Sequence, residues 1–229
     1  MNKPAQIYAW TVTALGFVTL VTALSTLRSQ DPATAFACLA LAAVASTFKI
    51  KLPGLTSTIS PSFVFVLVAS GQLSFAETVF IGAVGAIVQS LWRPKTRPKV
   101  LQVAFNCATI TIASGFAYGV THGLPLYASF STSSGIPLMI SGLVLLIANS
   151  LLVAVILCLI QKLPLRNSWQ SIQVWAVPYY LSGGVLAQLW CQVPLGASLS
   201  FVVLAAISAY LLTSSYRGIV GMLHVQEAI

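Results

Sequence analysis

Residues 49–106 read KIKLPGLTSTISPSFVFVLVASGQLSFAETVFIGAVGAIVQSLWRPKTRPKVLQVAFN, two clusters of bases around one long apolar run. Lys49 and Lys51 precede the run; Arg93, Lys95, Arg97 and Lys99 follow it. At about thirty residues it is too long for a single crossing of the hydrocarbon core, which takes roughly 20. Gly71-Gln72 breaks it, and Ser74-Phe75-Ala76-Glu77 then has the spacing of a helix capping box. The run therefore divides into a helical hairpin, a short span of about Pro61–Leu73 and a second of about Phe75–Trp92. Both of its outer ends lie on the side of the bases. Pro94 and Pro98 stop the second helix from running on through the basic connection.

Outward from the hairpin, the chain keeps the same alternation of apolar runs and short polar connections. Toward the N-terminus lie spans of about Ile7–Leu27 and Pro32–Phe48, joined by Arg28-Ser29-Gln30-Asp31. Pro32 suits the first turn of the helix it opens. The Ile7–Leu27 run is longer than the roughly 7–15 apolar residues of a signal peptide, so it is read as a retained span. Toward the C-terminus lie about Val100–Val120, Ile136–Ile160, Val174–Cys191 and Pro194–Leu212, with His122–Ser134 as an uncharged connection. Leu165, Trp169 and Ile172 fall near helical spacing, which suits a segment lying along the membrane interface. Pro178 and Gly183-Gly184 permit a kink or a close helix contact in the seventh span.

The sequence thus predicts an all-α integral membrane protein, a single polytopic domain of about eight transmembrane helices. The bases set its orientation. With the N-terminus in the cytoplasm, Lys3, Lys49, Lys51, Arg93, Lys95, Arg97, Lys99, Lys162, Arg166 and Arg217 all fall on the cytoplasmic side, and of the eleven bases only Arg28 falls outside. Both termini are then cytoplasmic. Merging the two hairpin helices into one span would put whole clusters on the wrong side.

Composition agrees. The chain is 58% hydrophobic and 6% charged, with a mean hydropathy of +0.93, where soluble domains carry about 25% charged residues. A net charge of +8 would suggest nucleic acid in a soluble protein; here the bases separate membrane runs, and no soluble basic face exists to carry that role. Cys38, Cys107, Cys158 and Cys191 are scattered singly without metal-ligand spacing, so neither a metal nor another cofactor is expected. Three acids and two histidines supply no nucleophile with a base beside it, and no phosphate loop or dinucleotide fingerprint occurs. No enzymatic activity is expected.

Polar residues at membrane depth are the candidates for function. Glu77 suits a cation or proton site, and equally a cap for the helix it opens. Gln102 and Asn106, four apart, share a helix face, and Gln89 lies toward the same end of the preceding span. These three suit a polar ligand pocket or ordinary interhelical hydrogen bonds. Phe63, Phe65 and Phe105 supply apolar walls for such a pocket, with Asn106 as the orienting amide. Asn149, Ser150, Trp175, Gln188 and Trp190 form a looser set, whose aromatic members suit the interfacial belt. Tyr179 and Tyr180 stand apart from it, beside Pro178, where a kinked helix can open a pocket wall.

Lys51, Leu52-Pro53-Gly54, Ser60, Phe63, Phe65, Glu77, Gln89-Ser90-Leu91-Trp92, Arg97-Pro98, Gln102 and Phe105-Asn106 together resemble a multi-pass membrane sensory domain. Such domains stand N-terminal to bacterial HD-type phosphohydrolase and GGDEF diguanylate cyclase domains, and Tyr216-Arg217 is similar to the exit from one. The resemblance covers about a quarter of the chain and implies a bacterial cytoplasmic membrane, a sensory role and a small, lipophilic ligand. No output domain follows before Ile229, so signalling would pass to a separate cytoplasmic partner, in a monomer or an oligomer. The alternative expectation is a small-molecule transporter or its substrate-binding membrane subunit, on size and hydropathy.

Overall fold

The computed structural model describes residues 2–51, 58–94, 97–123, 136–161 and 165–192, with side chains for all of these except 50–51, 58–59, 165–168 and 170–175. Seven helices occur among the described residues: α1 (Lys3–Ser25), α2 (Pro32–Ser46), α3 (Phe63–Gln72), α4 (Phe75–Leu91), α5 (Val100–Gly123), α6 (Ile136–Gln161) and α7 (Leu165–Gln192). Between α2 and α3, β1 (Ile50–Lys51) and β2 (Thr58–Ile59) pair antiparallel, Ile50 opposite Ile59. The span expected at about Pro194–Leu212, the tail and Tyr216-Arg217 lie outside the described residues.

Local chemistry accounts for where the helices begin. Asn2 caps α1 by accepting the N–H of Ala5, and Asp31 caps α2 by accepting that of Thr34. Ser74 and Glu77 close the expected capping box on α4, each accepting from the other's backbone. The start of α3 has no side-chain cap; the carbonyls of Pro61 and Ser62 take the N–H groups of Val64, Phe65 and Val66 instead.

Helices α1, α5 and α6 are long and apolar enough to cross a membrane. At 1.5 Å per residue they run for about 34–39 Å, against about 15 Å for α3 and about 22–26 Å for α2 and α4. The outer surface carries large apolar side chains as well as the core. Ile7, Trp10, Phe17, Val18 and Val21 of α1 stand exposed, as do Phe36 of α2, Phe116 of α5, Ile147 of α6 and Leu189 of α7. A helix apolar on its open face as well as its packed one has lipid for its solvent. The fold is that of a helical membrane protein.

Contacts between element ends fix how the helices alternate. Lys49, just beyond α2, donates from Nζ to the carbonyl of Trp92 at the end of α4. At the opposite end, Ser29 in the α1–α2 connection donates to Glu77 in the first turn of α4. Asn2 Nδ2 donates to the carbonyl of Leu159, setting the start of α1 beside the end of α6. Gln72 Nε2 donates to the carbonyl of Cys191, setting the end of α3 beside the end of α7. Lys3, Lys49, Arg93, Arg97 and Lys99 therefore share one end of the bundle, and Arg28, Asp31 and Glu77 the other.

The short helix α3 is at the centre. Every residue from Phe63 to Ser70 is buried, and α2, α4, α5, α6 and α7 all pack on it. A ten-residue helix has little stability of its own, so this enclosure is what holds it. Its aromatic side locks into α7, where the ring of Phe63 lies 4.1 Å from that of Tyr180, nearly parallel, over Gly183.

Helix α1 starts at Lys3, four residues before the expected Ile7, and two further boundaries that differ from the sequence reading bear on the packing. Helix α5 continues through Gly123, three residues past the expected end at Val120, which brings Thr121 into the core. Helix α7 runs unbroken from Leu165 to Gln192 with Pro178 inside it, so the expected interfacial segment is continuous with the seventh span. A proline deletes one backbone bond, and dense packing of α7 on α6 and α3 holds the helix together across that gap.

Candidate functional site

Where α3 begins, polar side chains gather at the basic end of the bundle. The hydroxyls of Ser60 and Ser62 lie 2.7 Å apart, and Ser60 donates to Gln89 Oε1 at 3.2 Å. One residue on in α4, Ser90 accepts from Asn106 Nδ2 of α5 at 3.3 Å. A Cβ added at Gly85 would stand 3.2 Å from Ser46 Oγ and 3.8 Å from Ser62, so the missing side chain lets α2 and the start of α3 approach α4. Gln89 and Asn106 thus join α4 to the two elements beside it, through the hydroxyls of Ser60 and Ser90, which the sequence reading named for the resemblance and not as partners of these amides. Gln102 is exposed on α5, away from these contacts.

Glu77 is at the other end. It is 6% exposed, and its carboxylate accepts from the Ser74 N–H at 2.9 Å, the Ser74 hydroxyl at 2.7 Å and the hydroxyl of Ser29. The cap expected of it is present, and the same group also ties the α1–α2 connection to the hairpin turn. Near it, Asp31 is exposed, and hydrogen bonds from the side chain and backbone of Thr34 hold its carboxyl below the usual range.

The aromatic candidates do not share a wall. Phe63 and Tyr179 are buried together, ring centroids 5.1 Å apart, in the α3–α7 core, and Phe65 packs edge-on against Trp190 at 5.3 Å. Phe105 belongs to a separate cluster, with Ala5, Ala9, Val12 and Ile156 of α1 and α6, and its ring is 6.2 Å from that of Tyr8. Trp190, expected in the interfacial belt, is 3% exposed and is a core residue. Among the described side chains Trp10 and Trp92 are the exposed tryptophans, and Trp169 donates to Ser150 of α6 at 3.2 Å.

A buried chain of hydroxyls was missed altogether. Ser70 of α3, Thr121 of α5 and Ser141 of α6 are each 1% exposed or less, with 3.3 Å from Ser70 to Thr121 and 2.7 Å from Thr121 to Ser141. Their signal in the sequence was Thr121, seven residues beyond Ser114 and so on the same face of α5. The helix end drawn at Val120 hid it. Among the described residues no three His, Cys, Asp or Glu side chains come together. No protein-family model, curated protein or solved structure matches this chain.

Proposed function

We propose that the chain is a sensory or small-molecule-binding module of the bacterial cytoplasmic membrane, without catalytic activity of its own. In this reading it crosses the bilayer eight times with both termini in the cytoplasm. A lipophilic ligand binds beside the hairpin, and a helix shift passes to a cytoplasmic signalling partner. The observation that carries the reading is the enclosure of α3: a short helix touched by five others cannot move without moving them. Its polar contacts, Ser60 and Ser62 with Gln89 and then Ser90 with Asn106, lie at the basic end, where a shift would be read. Interrupted membrane segments of this kind also occur in transporters, at the substrate site, which keeps transport as the second reading.

One experiment separates these. The full chain is screened for thermal stabilisation by a panel of lipophilic small molecules, and each stabilising compound is then tested for flux in proteoliposomes. The sensory reading expects stabilisation without flux, lost in Asn106→Leu while the unliganded variant melts within a few degrees of the parent, since an interhelical hydrogen bond contributes only about 0.6 kcal/mol. Flux of the compound establishes the transporter. Stabilisation retained by an Asn106→Leu protein that is itself clearly destabilised makes Asn106 packing alone.

A further inference from the structure

The basic end carries a feature that the sensory reading does not use. Lys49 at the end of α2, Trp92 and Arg93 at the end of α4, and Arg97 and Lys99 before α5 all lie at this end of the bundle and give it a basic surface. We propose that this surface binds the headgroup of an anionic phospholipid. The inference rests on the membrane embedding of the chain and is independent of any sensory role.

Three observations support it. The surface is constructed: Lys49 Nζ donates to the Trp92 carbonyl, and Arg93, at φ 39°, turns its guanidinium to 5.6 Å from the centre of the Trp92 ring. That φ lies in the left-handed region, which a residue with a side chain adopts only when its surroundings hold it there. Among the described residues no acid lies at this end. Arg93, Arg97 and Lys99 are exposed, and among the described residues both acids, Asp31 and Glu77, are at the opposite end. Partial burial holds the Lys49 ammonium below the ordinary lysine range.

The third observation selects a lipid over other anions. Exposed apolar side chains flank the bases directly, with Leu91 56%, Trp92 45% and Val100 86% exposed. A phosphate held by the arginines then has acyl chains beside it that cover Leu91 and Val100, while the amphipathic indole sits at headgroup depth. Free phosphate fills the charged half alone. An acidic protein segment would leave the apolar half against its own polar backbone.

The test uses the purified full chain in a neutral detergent, titrated with phosphatidylglycerol, phosphatidylcholine or inorganic phosphate. Thermal stability and lipid retention by native mass spectrometry are followed. Phosphatidylglycerol is expected to raise the Tm and to be retained, with both effects fading as salt is raised; phosphatidylcholine and phosphate are expected to do neither. At about a fivefold contribution per base, the triple variant Arg93→Gln/Arg97→Gln/Lys99→Gln should bind phosphatidylglycerol roughly a hundredfold more weakly. Equal effects of phosphatidylcholine, stabilisation by inorganic phosphate alone, or phosphatidylglycerol retention that salt does not weaken would each overturn the proposal. If the triple variant does not assemble, Arg97→Gln and Lys99→Gln made singly decide in its place: each is expected to weaken phosphatidylglycerol binding about fivefold, and binding unchanged in both would overturn the assignment.

Discussion

Glu77 is the residue where a structural role and a functional one are hardest to separate in the sequence, and its contacts make the comparison quantitative. Its carboxylate takes three donors and its own N–H caps onto Ser74, so Glu77→Gln, which keeps the shape and loses the charge, should cost on the order of 1 kcal/mol. Glu77→Ala leaves the Ser29 and Ser74 donors without an acceptor and should cost about 2 kcal/mol or more. Equilibrium unfolding of both variants in detergent checks the order; a Gln variant as unstable as the Ala variant would mean that the charge dominates. Asp31 adds a pH dependence of known sign. Its carboxyl is held below its ordinary value of 3.8, so the stability it contributes is present above that pH and is lost as pH falls through the lower, folded value. Acid titration of the Tm should show this loss in the parent and a flatter profile in Asp31→Asn.

Among the elements, α6 and α7 approach each other closely at Gly184. A Cβ added at Gly184 would stand 2.6 Å from the Cα of Met139 and 2.8 Å from its nitrogen, both backbone atoms that no rotamer change can move. Gly184→Ala should therefore destabilise by about 1–3 kcal/mol, the usual range for overpacking. Gly119, exposed on α5, has nothing within 4 Å of such a Cβ, and Gly119→Ala should be neutral or stabilising by up to about 1 kcal/mol. Similar melting of the two variants would contradict the packing. The helices themselves were legible because lipid demands long apolar runs and the connections carry their own punctuation: Pro32, the Ser74–Glu77 box, Pro94 and Pro98. Side-chain partners were less legible. Gln89 and Asn106 were evident as polar groups in apolar runs, and Ser60 and Ser90 stood among the residues of the resemblance, but that Ser60 pairs with Gln89 and Ser90 with Asn106 is set by tertiary packing alone. Phe63 and Phe105 looked alike in sequence and lie in different clusters, because α5 turns Phe105 toward α1 while α3 carries Phe63 to α7.

For the whole molecule, the decisive relation is the level of the α3–α4 turn. The Ser29–Glu77 contact sets that turn beside the α1–α2 connection, and the Lys49–Trp92 contact sets the far end of α4 beside the end of α2. In the topology proposed here, the hairpin therefore passes through the full thickness of the bundle, and its two ends face opposite compartments. The distribution of bases pointed to this arrangement, since Lys49, Lys51 and the Arg93–Lys99 group share a side only if two helices intervene. The extent of α3 was less legible: the helix has only ten residues, Phe63–Gln72, and follows a turn at 60–62 that the sequence reading placed partly within the span. The most direct test is cysteine accessibility in intact cells, on a background with the four native cysteines replaced. An impermeant maleimide should label Gln72→Cys in the hairpin turn and Ser29→Cys in the α1–α2 connection, and should leave Thr96→Cys unlabelled until the membrane is opened. Labelling of Thr96→Cys from outside, or a Gln72→Cys that reacts only after permeabilisation while Ser29→Cys reacts before it, would contradict the account.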